Sequence, residues 1–554
     1  MLNRNRRKPF IVTTVCLLLV GLTACKSEQA APVKTRDPAD LPLETPITIR
    51  VPYAYQDIEL PEGDVGDDQF LNRYIKEQTG VTIKYSWEAS GEEQYVSRLN
   101  LAIQSDDLPD AFIVNREQFR QLVKMDKLED LTDYYTKNTS QLVKKFYDAT
   151  DGNALREASF DGRLYGLPNV AIEADAPTYL WVRQDWLDKL HLKPPSTIDD
   201  IEHIAKQFNE QDPDGNGKAD TVGIPVNKEM LFGEKTGVGG LDGVFNSYHA
   251  FPKSWIYDAQ GQVVYGSTQP EAKMALAKLA MWYKEGVIDE QFVLRKEYFE
   301  LIDTNRSGIL FGPWWTPYWP LSSSVANDTK AEWRVYMAPV DKSGTFVTKT
   351  APITDHYLVI RKGYPHPEAA IKVLNLLTRL ERNQEPNQSE VKQLRTTADS
   401  MSLQLRNYYP FDLLLDYPDA IEKRYDQLLL AVNGSLNAES LDTETKSLYD
   451  SMMLEMEQPR KSIEAWSSSQ AYLYGGEVSK ATKVQTKSLF YDTTQSMEKY
   501  WDELQQLEYD TYLRIITGEL PIEAFDAFVQ EWESRGGSII AKEVSEAVTT
   551  GNNS

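Results

Sequence analysis

The sequence predicts an α/β protein that begins with a largely parallel sheet covered by helices and ends in a mostly helical part. From Ile47 onward, short β-rich runs alternate with amphipathic helical patterns. Such a β-α-β-α-β order favours parallel strands joined by helical crossovers. From about Val391, aromatic and leucine residues recur at the spacing of helices. A chain of 554 residues can support two or more cores.

The same patterns place the individual elements in order. The first expected helix ends before Gly80, a residue suited to a left-handed helix end. Strands are expected at residues 47–54, 81–87, 111–115, 179–182 and 357–360, with a strand-like run at 308–311. Helices are expected at residues 68–78, 94–105, 198–209, 270–285 and 367–380.

The N-terminus has the pattern of a secretory signal. Basic residues precede an apolar run at residues 10–22, which is shorter than the about 20 residues of a membrane span. The run ends in Leu22-Thr23-Ala24-Cys25, which resembles a bacterial lipobox. We therefore expect residues 1–24 to be a signal peptide and Cys25 to be lipidated. An ordinary signal with a chance cysteine is the alternative.

Residues 25–46 are expected to form a flexible tether behind the lipidated cysteine. Their content of Ala, Pro, Glu, Asp and Thr buries little apolar surface. The chain has two cysteines, Cys16 and Cys25, and only Cys25 would remain after cleavage. We therefore expect an exported protein that folds without disulfides.

The charge of the chain excludes some partners. The formal net charge is −24, and loss of the four basic signal residues leaves about −28. Such a surface repels phosphate backbones and anionic headgroups, so nucleic-acid binding is not expected. The charge also disfavours a strongly anionic ligand unless a local basic pocket overrides it.

A series of short motifs carries a family resemblance when they are read together in order. The motifs are TGV at 79–81, LAIQSDDLPD at 101–110, DGRLYGLP at 161–168, LWVRQDWLDKL at 180–190, the acidic loop 212–220, WYKEGVIDEQF at 282–292, PEAA at 367–370, IITG at 515–518, FD at 525–526 and the run 532–543. The ordered set resembles the family 1 extracellular solute-binding proteins, and among them the subgroup with alginate-oligosaccharide-binding proteins and large Gram-positive lipoproteins.

The resemblance implies a two-lobe periplasmic-binding-protein fold, type II-like, with a ligand cleft between the lobes. The implied N-terminal lobe consists of 47–172 and 355–430, and the C-terminal lobe of 173–354 and 431–554. Chain crossings are expected at 170–178, at 349–355 and between 428 and 476. The implied function is that of an extracytoplasmic, lipid-anchored and monomeric carrier, favoured on a Gram-positive outer surface. It would deliver a carbohydrate, in particular an oligosaccharide, to ABC permease subunits and would not be an enzyme.

An acidic loop provides the most specific local motif. Oxygen donors at positions 1, 3, 5 and 9 and glycine at position 6 match the first nine places of an EF-hand calcium loop. The expected Ca2+ site consists of Asp212, Asp214, Asn216, Lys218, Asp220 and Thr221. Position 12 is Gly223 instead of glutamate, so the match is incomplete. A solvated Asp-Gly turn is the alternative.

Aromatic and polar residues after strands are the candidates for the cleft. Sugars stack on aromatic rings and pair with polar side chains, and strand ends line the clefts of such sheets. The candidates are Tyr53, Tyr55, Asn115, Trp314, Trp315, Tyr318, Trp319, Asp355 and Tyr357. Packing inside the lobes is the alternative for each.

Three other functions stay open at this point. A polysaccharide-active enzyme needs paired carboxylates, but no G-x-S-x-G motif and no close-spaced histidine pair occurs in the sequence. A peptide or amino-acid carrier of the same fold would use opposed charges, for which Arg116 and Asp355 are available. A surface lipoprotein without a transport partner is the third.

Overall fold

A computed structural model describes residues 37–55, 60–229, 237–401 and 403–550 of the chain. The strands are β1 (Ile47–Tyr55), β2 (Val81–Ser90), β3 (Ala111–Asn115), β4 (Ser159–Phe160), β5 (Arg163–Leu164), β6 (Leu167–Pro168), β7 (Tyr179–Arg183), β8 (Trp255–Tyr257), β9 (Val263–Tyr265), β10 (Ile309–Gly312), β11 (Trp333–Tyr336), β12 (Val347–Lys349), β13 (His356–Ile360) and β14 (Val484–Thr486).

The helices outnumber the strands and dominate the chain after β13. They are α1 (Phe70–Thr79), α2 (Gly91–Ser105), α3 (Arg116–Lys124), α4 (Thr132–Asn138), α5 (Gln141–Asp148), α6 (Asn153–Glu157), α7 (Gln184–Lys189), α8 (Ile198–Glu210), α9 (Asp242–Ser247), α10 (Pro270–Lys284), α11 (Glu300–Asp303), α12 (Leu321–Asn327), α13 (Pro367–Glu381), α14 (Gln388–Ser400), α15 (Ala420–Val432), α16 (Thr443–Glu457), α17 (Ile463–Ser469), α18 (Gly476–Lys480), α19 (Met497–Ile516), α20 (Ala524–Trp532) and α21 (Ser538–Thr550).

The α/β class with a helix-rich C-terminal part is confirmed, and each expected element is present with ends shifted by a few residues. The local rules that set these ends are visible. Thr197 caps α8 through a reciprocal hydrogen-bonded box with Asp200. Gly80 ends α1 with φ of 76°, and a Cβ there would lie 3.0 Å from the carbonyl oxygen of Leu43.

The expectation that the sheets are mostly parallel is wrong. β1 and β2, which α1 connects, are parallel, and so are β12 and β14. The sheet β3-β13-β6 is antiparallel throughout, and so is the sheet β10-β7-β11. Their neighbouring strands are joined by long excursions of the chain instead of a single helical crossover, so the strand direction is set by where the chain returns.

Two main hydrophobic cores form the two lobes, and each is assembled from separated stretches of chain. The first core contains residues from Ile49 to Val170 together with residues from Tyr357 to Leu415. The second core contains residues from Leu180 to Ala338 together with residues from Phe490 to Val544. The exact lobe boundaries stay a prediction.

A third core belongs to the helical part and includes Ile172 and Ala174 of the first expected crossing. Ile172 and Trp314 pack there with residues of α15 and α16 and with Tyr472. A buried ion-pair network anchors this part to the first lobe, because Asp416 binds Arg382, which directly follows α13, and Arg424 of α15.

The end of the expected tether packs on the first lobe. Residues 38–40 form a short 3-10 helix, and Ala39 is buried. Lys372 of α13 donates to the carbonyl oxygen of Ala39 at 2.6 Å, and Arg379 pairs with Asp40. From residue 38 onward the tether prediction is therefore wrong, since cationic side chains of α13 bind this stretch. Residues 25–36 lie outside the described residues.

Candidate functional site

Three chain segments run side by side between the first and the second core. The amide of Asn169 donates to the carbonyl of His356, and that of Ala171 to the carbonyl of Ile353, at 2.9 and 3.0 Å. On the other side, the amides of Val170 and Glu173 donate to the carbonyls of Leu414 and Pro418. The first two segments overlap the ranges in which crossings are expected, 170–178 and 349–355, whereas the third, 414–418, precedes the expected range of 428–476. The crossings themselves stay a prediction.

Three of the predicted cleft residues lie together where β3 and β13 meet these segments. Asn115 is opposite His356 in the strand pair, and its side chain caps α3. Asp355 accepts hydrogen bonds from Asn169 Nδ2 and His356 Nδ1, both at 2.8 Å, and its side chain is 52% exposed. Tyr357 is buried and stacks on Phe119, with 4.2 Å between ring centroids.

The ionisation of this group follows from its neighbours. Removal of solvent by the surrounding protein acts to raise the pKa of the Asp355 carboxyl. The hydrogen bond and charge of His356 outweigh this effect and hold the pKa below its ordinary value. Burial raises the pKa of Tyr357 to about 12. At neutral pH the site therefore offers an ionised carboxylate beside a neutral phenol.

Charged groups of α3 connect the two lobes next to this group. Arg120 of α3 pairs with Asp492 at 2.7 Å, and Asp492 lies in the stretch between Phe490 and α19 that packs on the second core. Arg116 pairs with Glu157 and donates to the carbonyl oxygen of Thr354 at 2.6 Å. The Arg116 guanidinium also lies over the Tyr491 ring, 6.0 Å from the centroid.

Asp175 provides a second carboxylate at the crossings. It is exposed to solvent, yet protein atoms surround it on most sides, as expected for a residue that lines a concave surface. This environment raises the pKa of the Asp175 carboxyl to about 6, although the hydrogen bond from Trp314 and the charge of Arg406 lower it. The Trp314 Nε1 donates to Asp175 at 2.8 Å.

The aromatic run 314–319 packs mainly against protein. Trp314 is 6% exposed and meets Tyr472 edge to face, so its ring is not an open stacking surface. Trp315 and Trp319 are half-buried, as is Tyr318, whose hydroxyl binds Ser468 at 3.0 Å. A ligand-facing role of Trp315, Tyr318 and Trp319 stays a prediction.

The two tyrosines after the first strand differ in what the structure describes. Tyr53 is buried, stacks on Tyr85 with 4.5 Å between ring centroids, and donates to the carbonyl oxygen of Asn407 at 3.2 Å. These contacts are those of a packing residue. The side chain of Tyr55 lies outside the described residues, and so does Cys25.

The acidic loop brings its oxygen donors close together. Asn216 Nδ2 donates to Asp214 at 2.6 Å and to Asp220 at 3.0 Å. The Asp212 carboxylate accepts from the amides of Asn216 and Gly217. Thr221, in contrast, donates its hydroxyl to the carbonyl oxygen of Phe208.

A complete metal site of carboxylates, histidines and cysteines is not formed by the loop alone. In residues 37–55, 60–229, 237–401 and 403–550, no three such side chains are arranged to hold a metal ion. Lys218 can contribute only its backbone carbonyl. Gly223 leaves no room for a longer residue, because a Cβ there would lie 2.1 Å from the carbonyl oxygen of Val287. The oxygen-rich donor set still has the chemistry that calcium prefers.

Several residues at the crossings were not among the predicted site residues. Asp175 lies within a predicted crossing, and this position was the available signal. Arg120, Tyr491 and Asp492 have no comparable signal, because only the folded chain brings 120 next to 492.

In the described part of the chain, no helix has both the length and the apolar character needed to cross a membrane.

Comparison with known proteins identifies the family to which this chain is similar. The family model of bacterial extracellular solute-binding proteins matches residues 70–404. The lipoprotein LipO of Bacillus subtilis (strain 168) is 29% identical over 40% of this chain and 41% of its own. A fructooligosaccharide ABC transporter substrate-binding protein, FusA of Streptococcus pneumoniae serotype 4, is 27% identical over 53% of each chain. The chain thus spans about half the length of the curated relatives that it matches.

Solved structures extend the likeness in fold to almost the whole chain. The crystal structure of the alginate-binding protein AlgQ2 without calcium ion has a TM-score of 0.59 and 15% identity, and covers 92% of this chain and 99% of its own. The family model covers more than half of the chain, and the solved structure shares its fold over nearly the whole chain. The chain belongs to the family of bacterial extracellular solute-binding proteins.

Proposed function

We propose that this protein captures an oligosaccharide in the cleft between its lobes and delivers it to an ABC permease. The observation that carries the proposal is the set of three hydrogen-bonded segments between the cores, with Asp175 and Asp355 accessible beside them. Lobes joined by such segments can rotate and enclose a ligand. The relatives described above as fructooligosaccharide-binding and alginate-binding support a saccharide ligand.

The side chains at the crossings are suited to sugar hydroxyls. Asp355 is an ionised acceptor, and Asn169 and His356 hold it in place. Charge-assisted hydrogen bonds from hydroxyl groups to such a carboxylate are about twice as strong as neutral ones. Tyr491, half-buried beside Arg116, adds an aromatic surface at the same place.

Calorimetric titration of the Cys25→Ser protein with oligosaccharides, peptides and amino acids tests the proposal. An oligosaccharide should bind, and Asp355→Ala should weaken its binding at least about tenfold, because loss of one charge-assisted hydrogen bond costs about 1.5–3 kcal/mol. Asp133→Asn, an exposed change on α4, is the control and should leave binding unchanged. Binding restricted to peptides or amino acids would contradict the proposal.

A peptide carrier is less well supported than a saccharide carrier. Its ligand carboxylate would need an available arginine, and Arg116 is 12% exposed and engaged by Glu157 and Thr354.

We also propose that the protein has no catalytic activity, in keeping with relatives described as substrate-binding proteins. Recovery of the bound oligosaccharide without cleavage products checks this point.

We further propose that the loop 212–220 binds a structural calcium ion. Asp212, Asp214, Asn216 and Asp220 would supply side-chain oxygens and Lys218 a carbonyl, whereas Thr221 is turned toward Phe208. Calcium should raise the melting temperature of the protein, and Asp214→Asn should remove most of this increase. Asp258→Asn, in a turn without other acidic residues, is the control. An equal response of both variants would contradict the site.

The proposal includes a lipid anchor at Cys25 on the extracytoplasmic face of the cell membrane. Asp37 already contacts the first lobe, because its carboxylate accepts from the Gln141 amide at 2.6 Å. Cys25→Ser should move the protein from the membrane fraction to the medium. Equal membrane association of both proteins would contradict the anchor. We also propose that the carrier is a monomer, which light scattering can test.

A further inference from the structure

The charges along the chain crossings are distributed unevenly. Asp355 and Asp175 are accessible to solvent, and they lie toward opposite ends of the paired segments, because residues 169–171 run antiparallel to residues 353–356. Asp355 lies beside Asn169, whereas Asp175 lies further along the same segment, beside Trp314. A ligand that lies along the crossings would meet a negative charge at either end.

Each of these two carboxylates has an uncharged hydrogen-bond donor. Asp355 accepts from an amide and from a histidine ring, and Asp175 accepts from an indole N–H. Arg406, the arginine near Asp175, is held by both carboxylate oxygens of Asp412 at 2.9 Å. Glu422 and Asp416 add further negative charge near Asp175.

The arginines beside the crossings are already balanced by carboxylates. Arg116 binds Glu157 and lies 3.8 Å from Asp492, and Arg120 binds Asp492 at 2.7 Å. The side chains of Arg116 and Arg120 are only 12% and 26% exposed. A ligand carboxylate would have to displace Glu157 or Asp492 to reach them, and the displaced carboxylate would then be left unpaired.

We infer that the cleft selects an uncharged oligosaccharide and discriminates against chains of uronic acids. This inference rests on the proposed function and deepens it. The hydroxyl groups of a neutral sugar donate to Asp355 and Asp175, whereas a uronate is repelled by both. The overall formal charge of −24 acts in the same direction.

A matched pair of ligands tests the charge selection. The Cys25→Ser protein is titrated with fructo-, gluco-, manno- and xylo-oligosaccharides and with oligogalacturonates and oligomers of mannuronate. The tightest neutral ligand is then compared with the same sugar oxidised from a primary alcohol to a carboxylate. We expect the oxidised form to bind at least about tenfold more weakly at low salt. Its affinity should recover in part at 1 M salt, where the screening length falls to about 3 Å.

Two variants connect the discrimination to the named carboxylates. Asp355→Asn and Asp175→Asn should each lower the ratio of neutral to oxidised-ligand affinity, and the double variant should bring it near one. An acidic oligosaccharide that binds more tightly than every neutral one, or a ratio unchanged in the double variant, would overturn the inference and leave the proposed function intact. Binding of peptides alone would overturn both.

Discussion

The buried carboxylate of Asp416 connects the first lobe to the helical part, and its charge should be important for stability. Asp416 has no exposed surface. Its Oδ2 accepts from Arg382 and from Arg424, and its Oδ1 accepts from Arg424 at 3.1 Å and from the Tyr417 amide at 2.8 Å. In Asp416→Asn the carboxamide keeps one acceptor but turns an NH2 group toward the guanidinium groups.

The loss of stability in Asp416→Asn follows from the buried positive charges that lose a carboxylate partner. Two buried arginines would be left with Glu444, which pairs with both, and with Glu381, which pairs with Arg382 at 3.4 Å. Breaking a buried ion pair by removing one partner costs about 3–5 kcal/mol. For a cooperative unit of 150–250 residues, each kcal/mol lowers the melting temperature by about 2–4 °C. We therefore expect Asp416→Asn to melt at least about 6 °C below the unchanged protein.

The measurement is thermal unfolding followed by circular dichroism at neutral pH. Asp419→Asn is the matched control, because its exposed pair with Lys423 at 2.7 Å has half-exposed side chains and contributes at most about 1 kcal/mol. If both variants melt within about 2 °C of each other, the network does not stabilise the junction and the reasoning is refuted.

Three further predictions concern other parts of the molecule. Because folding raises the pKa of Asp175 to about 6, the folded protein binds this proton more tightly than the unfolded chain does, and the resulting stability is present near pH 4 and lost as the pH rises through about 6. Asp175→Asn should therefore gain in urea midpoint relative to the unchanged protein between pH 4 and pH 7. A constant difference would contradict this. Glu508→Gln removes a buried carboxylate that accepts from two hydroxyls and should cost about 1–3 kcal/mol in urea unfolding, whereas Glu519→Gln on the surface should cost little. Gly308→Ala would place a Cβ 2.4 Å from the Trp186 ring and should cost about 1–3 kcal/mol, and an unchanged melting temperature would show that this contact relaxes freely.

Elements that depend on neighbouring residues could be predicted from the sequence. The helix expected at 198–209 is found as Ile198–Glu210, because its apolar spacing and the cap at Thr197 are local. The strand expected at 111–115 is found with the same ends, because a short apolar run follows the Leu-Pro-Asp turn. The order of such elements also supports the family resemblance.

Properties that depend on distant residues could not be predicted in the same way. The antiparallel pairing of β3 with β13 depends on how the chain returns from the second lobe. The packing of Trp314 depends on Tyr472, which no local pattern places beside it. The pairing of Arg120 with Asp492 likewise joins residues from the two lobes. For the ligand site, sequence patterns thus indicate the crossings but not the charges that face each other across them.

The pairing of Asn115 with His356 also determines the order in which the chain can fold. In the direction of synthesis, about 240 further residues follow β3 before its partner β13 arrives. Contacts between residues so far apart slow folding, because the intervening chain must be ordered or looped out first. The second core begins inside this interval, at Leu180, but is completed only by residues 490–544 after it, so neither lobe can complete its core early. A chain that emerges from its N-terminus therefore keeps the edge of β3 exposed until β13 arrives.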